Sequence, residues 1–213
     1  MSKIIDGYEQ FFDAFSINKE DFFYFGLNNI ITICKEEASL IWKKLLSDIN
    51  SKSNNLYIRP FGKQGKGNKI IKELYQEILE INIKFDKTNN QNPTRLIEEF
   101  TGFKNNNNIH NYQVSHVFGC TKNVFAFTAP WNIVYIPKII DPFTGHEASK
   151  NYAEEFKILF YNKIMNMFDK QINEYNGIMD ELYPKIKNWV ELNIEEKKRK
   201  HILKEFCKIQ PIQ

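Results

Sequence analysis

"VSHVFGCTKNVFAFTAPWNIVYIPKIIDPFTGHEA", residues 114–148, decides how this chain is read. Apolar, β-branched and aromatic residues fill it, and Gly119, Pro130, Pro137 and Pro142 cut it into short lengths. Tyr112 to Phe118 alternates in polarity and ends at Gly119, the pattern of a strand. Val124 to Thr128 reads as its partner, with "GCTKN" as the turn between them. Asn132 opens a third apolar run, Ile133 to Ile136, which Pro137 stops. "DPFT" is turn chemistry. Thr144 and Glu147 then stand three apart, the spacing of a capping box, which puts His146 in the first turn of a helix. Ser149 is a competing cap that would leave His146 just ahead of that helix. Of the four histidines in the chain, His116 and His146 fall in this stretch, and the others are His110 and His201.

Helical patterns lie on both sides. Residues 7–50 read as helical. Asn18 is placed to cap a helix whose first turn carries Glu20 and Asp21. A further helix over residues 36–49 puts Ala38, Ile41, Trp42 and Leu45 on one face, a core stripe. Leu56 to Arg59 has the composition of a short strand. In "GKQGKGNK", Gly62, Gly65 and Gly67 alternate with Lys63, Lys66 and Lys69. Such a run is a solvated loop or a contact to a nucleic-acid backbone. It lacks the spacing of a Walker A loop, so nucleotide hydrolysis is set aside. "NQNPTRLIEEF" reads as a helix start with Asn92 as cap, Pro93 in first position and Arg95 projecting from the first turn. "KNNNNIHN" is a low-complexity loop. After residue 148, Phe156, Leu159, Phe160, Ile164, Met167 and Phe168 recur at helical spacing as a core stripe. Pro184 is expected to interrupt that helix, with another running through Trp189. "EEKKRKHILKEF" reads as a solvated helix face.

The chain of 213 residues is 42% hydrophobic and 15% aromatic, enough for a substantial core. No apolar run is long enough to span a bilayer, and the N-terminus lacks the basic-then-apolar layout of a signal peptide. Cys34, Cys120 and Cys207 are far apart and odd in number, which argues against a disulfide framework or a structural zinc site. A cytoplasmic location is expected. The net charge of +3 permits an anionic partner without requiring one.

His116, Asn132 and His146 are separated by sixteen and then fourteen positions, in strand, loop and helix contexts. Over about residues 114–165 this resembles the HNH, or ββα-metal, nuclease superfamily. "VSH" looks like the strand bearing the general base, His116. "WNIVYIP" looks like the segment with the central asparagine, Asn132, and "GHEASKNY" like the start of the metal-binding helix, which gives His146 a ligand role. Many members carry an Asp or His ligand just before the base. This chain has Ser115 there, and Asp141 is the substitute ligand. The resemblance implies an α+β fold, mostly helical, around a small ββα-metal core. It also implies Mg²⁺ (or Mn²⁺) as cofactor, although imidazole also suits Zn²⁺ or Ni²⁺.

The roles follow from phosphodiester hydrolysis. A neutral imidazole can take a proton from water. Its second ring nitrogen must be held by a carbonyl, a role given to Asn132. A cation on His146 and Asp141 would offset charge on the phosphate and the leaving oxygen. The expected organisation is a mainly helical recognition or dimerisation region over 1–110, a catalytic core over 111–165 and a helical end over 166–213. Arg59, Lys63, Lys66, Lys69 and Arg95 would contact nucleic acid. The expected activity is site-specific cleavage of double-stranded DNA by a homodimer, as in type II restriction. A nonspecific or RNA-directed nuclease or toxin, and a non-catalytic nucleic-acid-binding protein, are the competing expectations.

Overall fold

The computed structural model describes residues 5–61, 66–144 and 151–212. It starts with three helices, α1 (Gly7–Ala14), α2 (Lys19–Asn28) and α3 (Lys35–Asn50). The starts of the first two are fixed by side-chain caps. Asp6 Oδ1 accepts from the amide of Tyr8 at 2.9 Å, and Asn18 Oδ1 accepts from the amide of Asp21 at 2.9 Å. Each satisfies a first-turn N–H that has no intrahelical partner. Asn18 is thus the cap expected from sequence. On α3, Ala38, Ile41, Trp42 and Ile49 are buried, and Leu45 is half-buried beside them.

A βαβ unit follows: β1 (Tyr57–Ile58), α4 (Lys66–Leu79) and β2 (Lys84–Phe85), with the two strands parallel. Next comes α5 (Gln91–Thr101). It starts two residues before the expected first position, so Pro93 is its third residue and Asn92 is not its cap. The carboxylate of Asp86 does the capping from upstream. It accepts from the amides of Gln91 at 2.9 Å and Asn92 at 2.8 Å, and from Asn92 Nδ2 at 2.8 Å. Pro93 remains tolerated because the third residue is still among those whose N–H lacks a helical acceptor. The helix ends at Gly102, whose φ of 71° is the left-handed conformation that glycine adopts without strain. The asparagine-rich segment after it is a hydrogen-bonded turn. Lys104 N donates to Asn108 Oδ1 at 2.6 Å, and Asn108 Nδ2 donates to the carbonyl of Gly102 at 2.8 Å.

The strand β3 (Tyr112–His116) pairs with β4 (Ile133–Pro137), not with residues 124–128. The antiparallel register sets Tyr112 against Pro137 and His116 against Ile133. Residues 117–132 form a long loop between the two strands. Its apolar run is buried because the loop folds into the core as successive turns. Phe127 N donates to the carbonyl of Asn123 at 2.8 Å, and Asn132 N donates to that of Ala129 at 3.0 Å. Burial of Val124, Ala126 and Phe127 therefore mimics a strand pattern while the backbone bonds stay local. The far edge of β4 pairs with Ile31, whose amide and carbonyl both bond to Tyr135.

After β4 comes a 3₁₀ turn at Asp141–Thr144. Thr144 Oγ1 donates back to the carbonyl of Asp141 at 2.7 Å. The expected cap residues Glu147 and Ser149 lie outside the described residues. Then come α6 (Asn151–Met167), α7 (Asp169–Asn193), α8 (Glu196–Leu203) and a 3₁₀ turn at Lys204–Phe206. The expected stripe is the buried face: Phe156, Phe160 and Ile164 on α6, and Phe168 at its end, are fully enclosed, while Leu159 is exposed. At Gly26 of α2, a Cβ would lie 2.8 Å from the Phe156 ring, so only glycine admits this close crossing. Pro184 does not end a helix; it lies inside α7. The buried residues Met179, Ile186, Trp189 and Val190 anchor both of its flanks, which offsets the roughly 3 kcal/mol that a proline inside a helix costs through its lost hydrogen bond and ring clash.

The molecule is thus α+β and mostly helical, with two small two-stranded sheets among the described residues. One hydrophobic cluster includes Phe12, Ile58, Tyr75, Trp131, Phe156, Met179 and Phe206, so it draws on every part of the chain. Among the described residues, no helix is long and apolar enough to cross a membrane.

Candidate active site

The His116 side chain stands at the end of β3, where the long loop begins. It is 3% exposed and stacks on Phe127, with ring centroids 5.3 Å apart and planes at 10°. Nε2 lies 2.9 Å from the carbonyl oxygen of Phe127. A carbonyl only accepts, so Nε2 carries the hydrogen, and in the neutral ring Nδ1 is then the basic nitrogen. Nδ1 lies 3.5 Å from Nη2 of Arg59.

Asn132 is not the group that holds the ring; the Phe127 carbonyl is. Asn132 is fully buried and ties the loop to itself. Its Oδ1 accepts from Phe118 N at 2.9 Å, and its Nδ2 donates to the carbonyls of Gly119 and Ala126, both at 3.0 Å. A planar amide with two donors and an acceptor suits a position where three loop backbone groups converge. By fixing the loop, Asn132 fixes the Phe127 carbonyl and, through it, the imidazole.

His116 opens onto a cleft of about 450 Å³ whose walls include Arg59, Ser115, Cys120, Asp141, Lys204 and Glu205. Asp141 is therefore on the same cleft as His116. His146 lies outside the described residues. Among the described residues, no group of three or more His, Cys, Asp or Glu side chains is arranged to hold a metal ion.

Arg59 follows β1, and its backbone N–H donates to the carbonyl of Thr121 in the long loop at 2.9 Å. Its guanidinium donates to the carbonyl of Asn89 at 3.2 Å and to Oδ1 of Asn90. Burial lowers its pKa from the ordinary value, while the charges of Glu205 and Asp86 act the other way. Glu205, only 6% exposed, accepts from the amide of Lys122 at 3.0 Å, and Lys122 Nζ is 3.8 Å from it. Its own carbonyl accepts from Asn123 Nδ2 at 3.1 Å, so the chain's last turn is stitched to the long loop. Burial, and then the Glu205 charge, push the Cys120 thiol up to about 12, so it stays protonated near neutrality and is no nucleophile.

The other expected nucleic-acid contacts are dispersed. Lys63 and the Lys66 side chain lie outside the described residues. Lys69 is exposed on α4, 3.7 Å from Glu73. Arg95 lines a different cleft. Sequence reasoning missed Phe127, Lys204 and Glu205. The charge run near the C-terminus reads as solvated, and the one sign of a buried acid in it is that Glu205 sits between apolar Leu203 and Phe206.

The model of the family described as "Uncharacterised protein PM1201" matches residues 33–211. Over 196 residues the chain is 42% identical to "Uncharacterized protein PM1201" of Pasteurella multocida (strain Pm70), covering 92% of this chain and 89% of that protein. No solved structure matches the chain.

Proposed function

The chain belongs to the PM1201 family, and we propose that it is a metal-dependent, site-specific DNA endonuclease with His116 as general base. The observation that carries this reading is the state of the His116 ring. Its Nε2 hydrogen is held by the Phe127 carbonyl, and its basic Nδ1 lies beside Arg59 at a cleft shared with Asp141. A general base needs one nitrogen anchored and the other basic.

In the proposed reaction, water attacks phosphorus and gives its proton to Nδ1 of His116. The bond from phosphorus to the leaving oxygen breaks, and that oxygen takes a proton from solvent. The Phe127 carbonyl keeps its bond to Nε2–H as the ring becomes cationic. Arg59 donates to a non-bridging phosphate oxygen. Among the described residues, the walls of the cleft carry two cations, Arg59 and Lys204, against two carboxylates, Asp141 and Glu205. A phosphate therefore gains little from the cleft's net charge, and a divalent cation at Asp141 would change that balance. A single hard carboxylate would suit Mg²⁺ or Mn²⁺. Asp141, joined by His146 as the resemblance implies, would hold the ion. When bound, it would neutralise charge on the phosphate and the leaving oxygen. Cutting both strands at a palindrome implies a homodimer.

The test is incubation of the purified protein with plasmid DNA in Mg²⁺ and in Mn²⁺. Discrete fragments are expected, with the rate reduced about 10²- to 10⁴-fold in His116→Ala. A smear would point to a nonspecific nuclease. Cleavage of structured RNA with DNA spared would select the RNA-directed reading. DNA and RNA left intact in every metal would overturn the proposal.

A further inference from the structure

A second cleft, of about 400 Å³, is lined by Tyr57 of β1, Lys72 of α4, Lys84 and Phe85 of β2, Arg95 of α5, and Lys87 from the segment between β2 and α5. Among the described residues, its four cations share the lining with no Asp or Glu. Among the described residues, none of the four has a carboxylate oxygen within 4.0 Å. Elsewhere Lys44 is paired with Asp48 and Lys52 with Glu80. Four like charges around one concavity repel each other and gain only when an anion enters.

The aromatic residues sharpen the chemistry. Lys72 Nζ lies over the Phe85 ring, 5.2 Å from its centroid, and Lys84 Nζ lies 5.9 Å from that of Tyr57. The ring faces therefore station ammonium groups. They are covered by the protein's own lysines and do not offer a platform for stacking a base. Such a site reads charge and not base identity, which is how a phosphate backbone is held.

The cleft is linked to the first one through the chain. Gln91 and Asn92 line it, while the preceding residues, Asn89 and Asn90, hold Arg59 beside His116. We propose that this basic cleft binds the phosphate backbone of the duplex whose cleavage is assigned to His116. It thus rests on that reading and adds Lys72, Lys84 and Lys87 to it.

The experiment is binding of a fluorescein-labelled duplex of arbitrary sequence in EDTA, where metal-dependent hydrolysis cannot run. Wild type is compared with Lys72→Ala/Lys84→Ala/Lys87→Ala and with the corresponding triple Lys→Arg variant. At about 50 mM salt, the alanine variant is expected to bind a roughly 20-base-pair duplex at least ~10-fold more weakly, and its slope of log affinity against log salt should shrink by about 2 to 3. The arginine variant should keep wild-type affinity and slope. All three lysines are exposed, and equal thermal midpoints by circular dichroism would show that the fold is retained.

Wild-type affinity and slope in the alanine variant would overturn the assignment. So would equal displacement of the duplex from wild type and alanine variant by inorganic triphosphate. The two readings fail separately. If duplex binding needs the lysines but the wild type cuts neither DNA nor RNA in any metal, the nuclease reading falls and the cleft stands. If the wild type cuts, His116→Ala does not, and the alanine variant binds like wild type, the cleft falls alone.

Discussion

Asn132 anchors the candidate site with a single amide. Replacing it by alanine leaves Phe118 N and the carbonyl of Gly119, both at the cleft wall, and the buried carbonyl of Ala126 without their partner. Asn132→Ala is expected to lower stability by about 3 kcal/mol in urea unfolding, since each buried polar group left unpaired costs about 1–3 kcal/mol and the effects overlap. Asp86 gives a prediction in pH. Burial pushes its carboxyl upward, but the hydrogen bonds from Asn92, Gln91 and Thr88 outweigh this, and the net pKa is lowered. A lowered folded pKa contributes stability that is present above the unfolded value of about 3.9 and is lost as pH falls through the folded one. Asp86→Asn should therefore flatten the acid limb of a stability–pH curve measured by urea unfolding below about pH 4. An acid limb as steep as in wild type would show that Asp86 does not contribute.

At the scale of elements, α7 continues through an exposed proline. Pro184→Ala restores an N–H to the helix and should raise stability by up to about 3 kcal/mol, read as a higher urea midpoint at constant slope. A lower midpoint would mean that the proline shapes a bend needed for packing. The helices were readable from sequence because their determinants are local. Asn18 lies three residues from the amide that it caps, and Ala38, Ile41 and Trp42 repeat at helical spacing. The partner of β3 was not readable in the same way. Residues 124–128 have the composition of a strand and sit nearer in the chain, but their backbone bonds close turns, and β4 pairs from beyond them. The start of α5 was missed for a related reason: Asp86 reaches forward past a turn to take the place of the nearer asparagine.

In the whole molecule, the candidate site depends on distant parts of the chain. Phe206, 1% exposed, packs on Tyr75 with centroids 6.0 Å apart, and Tyr75 Oη donates to the carbonyl of Lys122 at 2.7 Å. Phe206→Ala should cost about 3–5 kcal/mol by thermal or urea unfolding. It should also slow plasmid cleavage under conditions where the variant remains folded, because Lys204 and Glu205 are carried on the same turn. An unchanged cleavage rate in the folded variant would mean that this turn does not shape the site. His116 and Asp141 were legible as candidates because a short motif spans both. Arg59 and Glu205 were not legible as their neighbours, because 57 and 89 positions separate them from His116 and only the tertiary fold brings them together.

Arg59 is held at both ends, its backbone by the long loop and its guanidinium by Asn89 and Asn90. A free arginine side chain gives up about 2 kcal/mol of rotamer entropy when it is immobilised. Here folding has already imposed that loss, so an incoming anion meets a donor with little freedom left to surrender. A lysine in its place, without the planar fork, would have to be stilled anew each time the cleft filled.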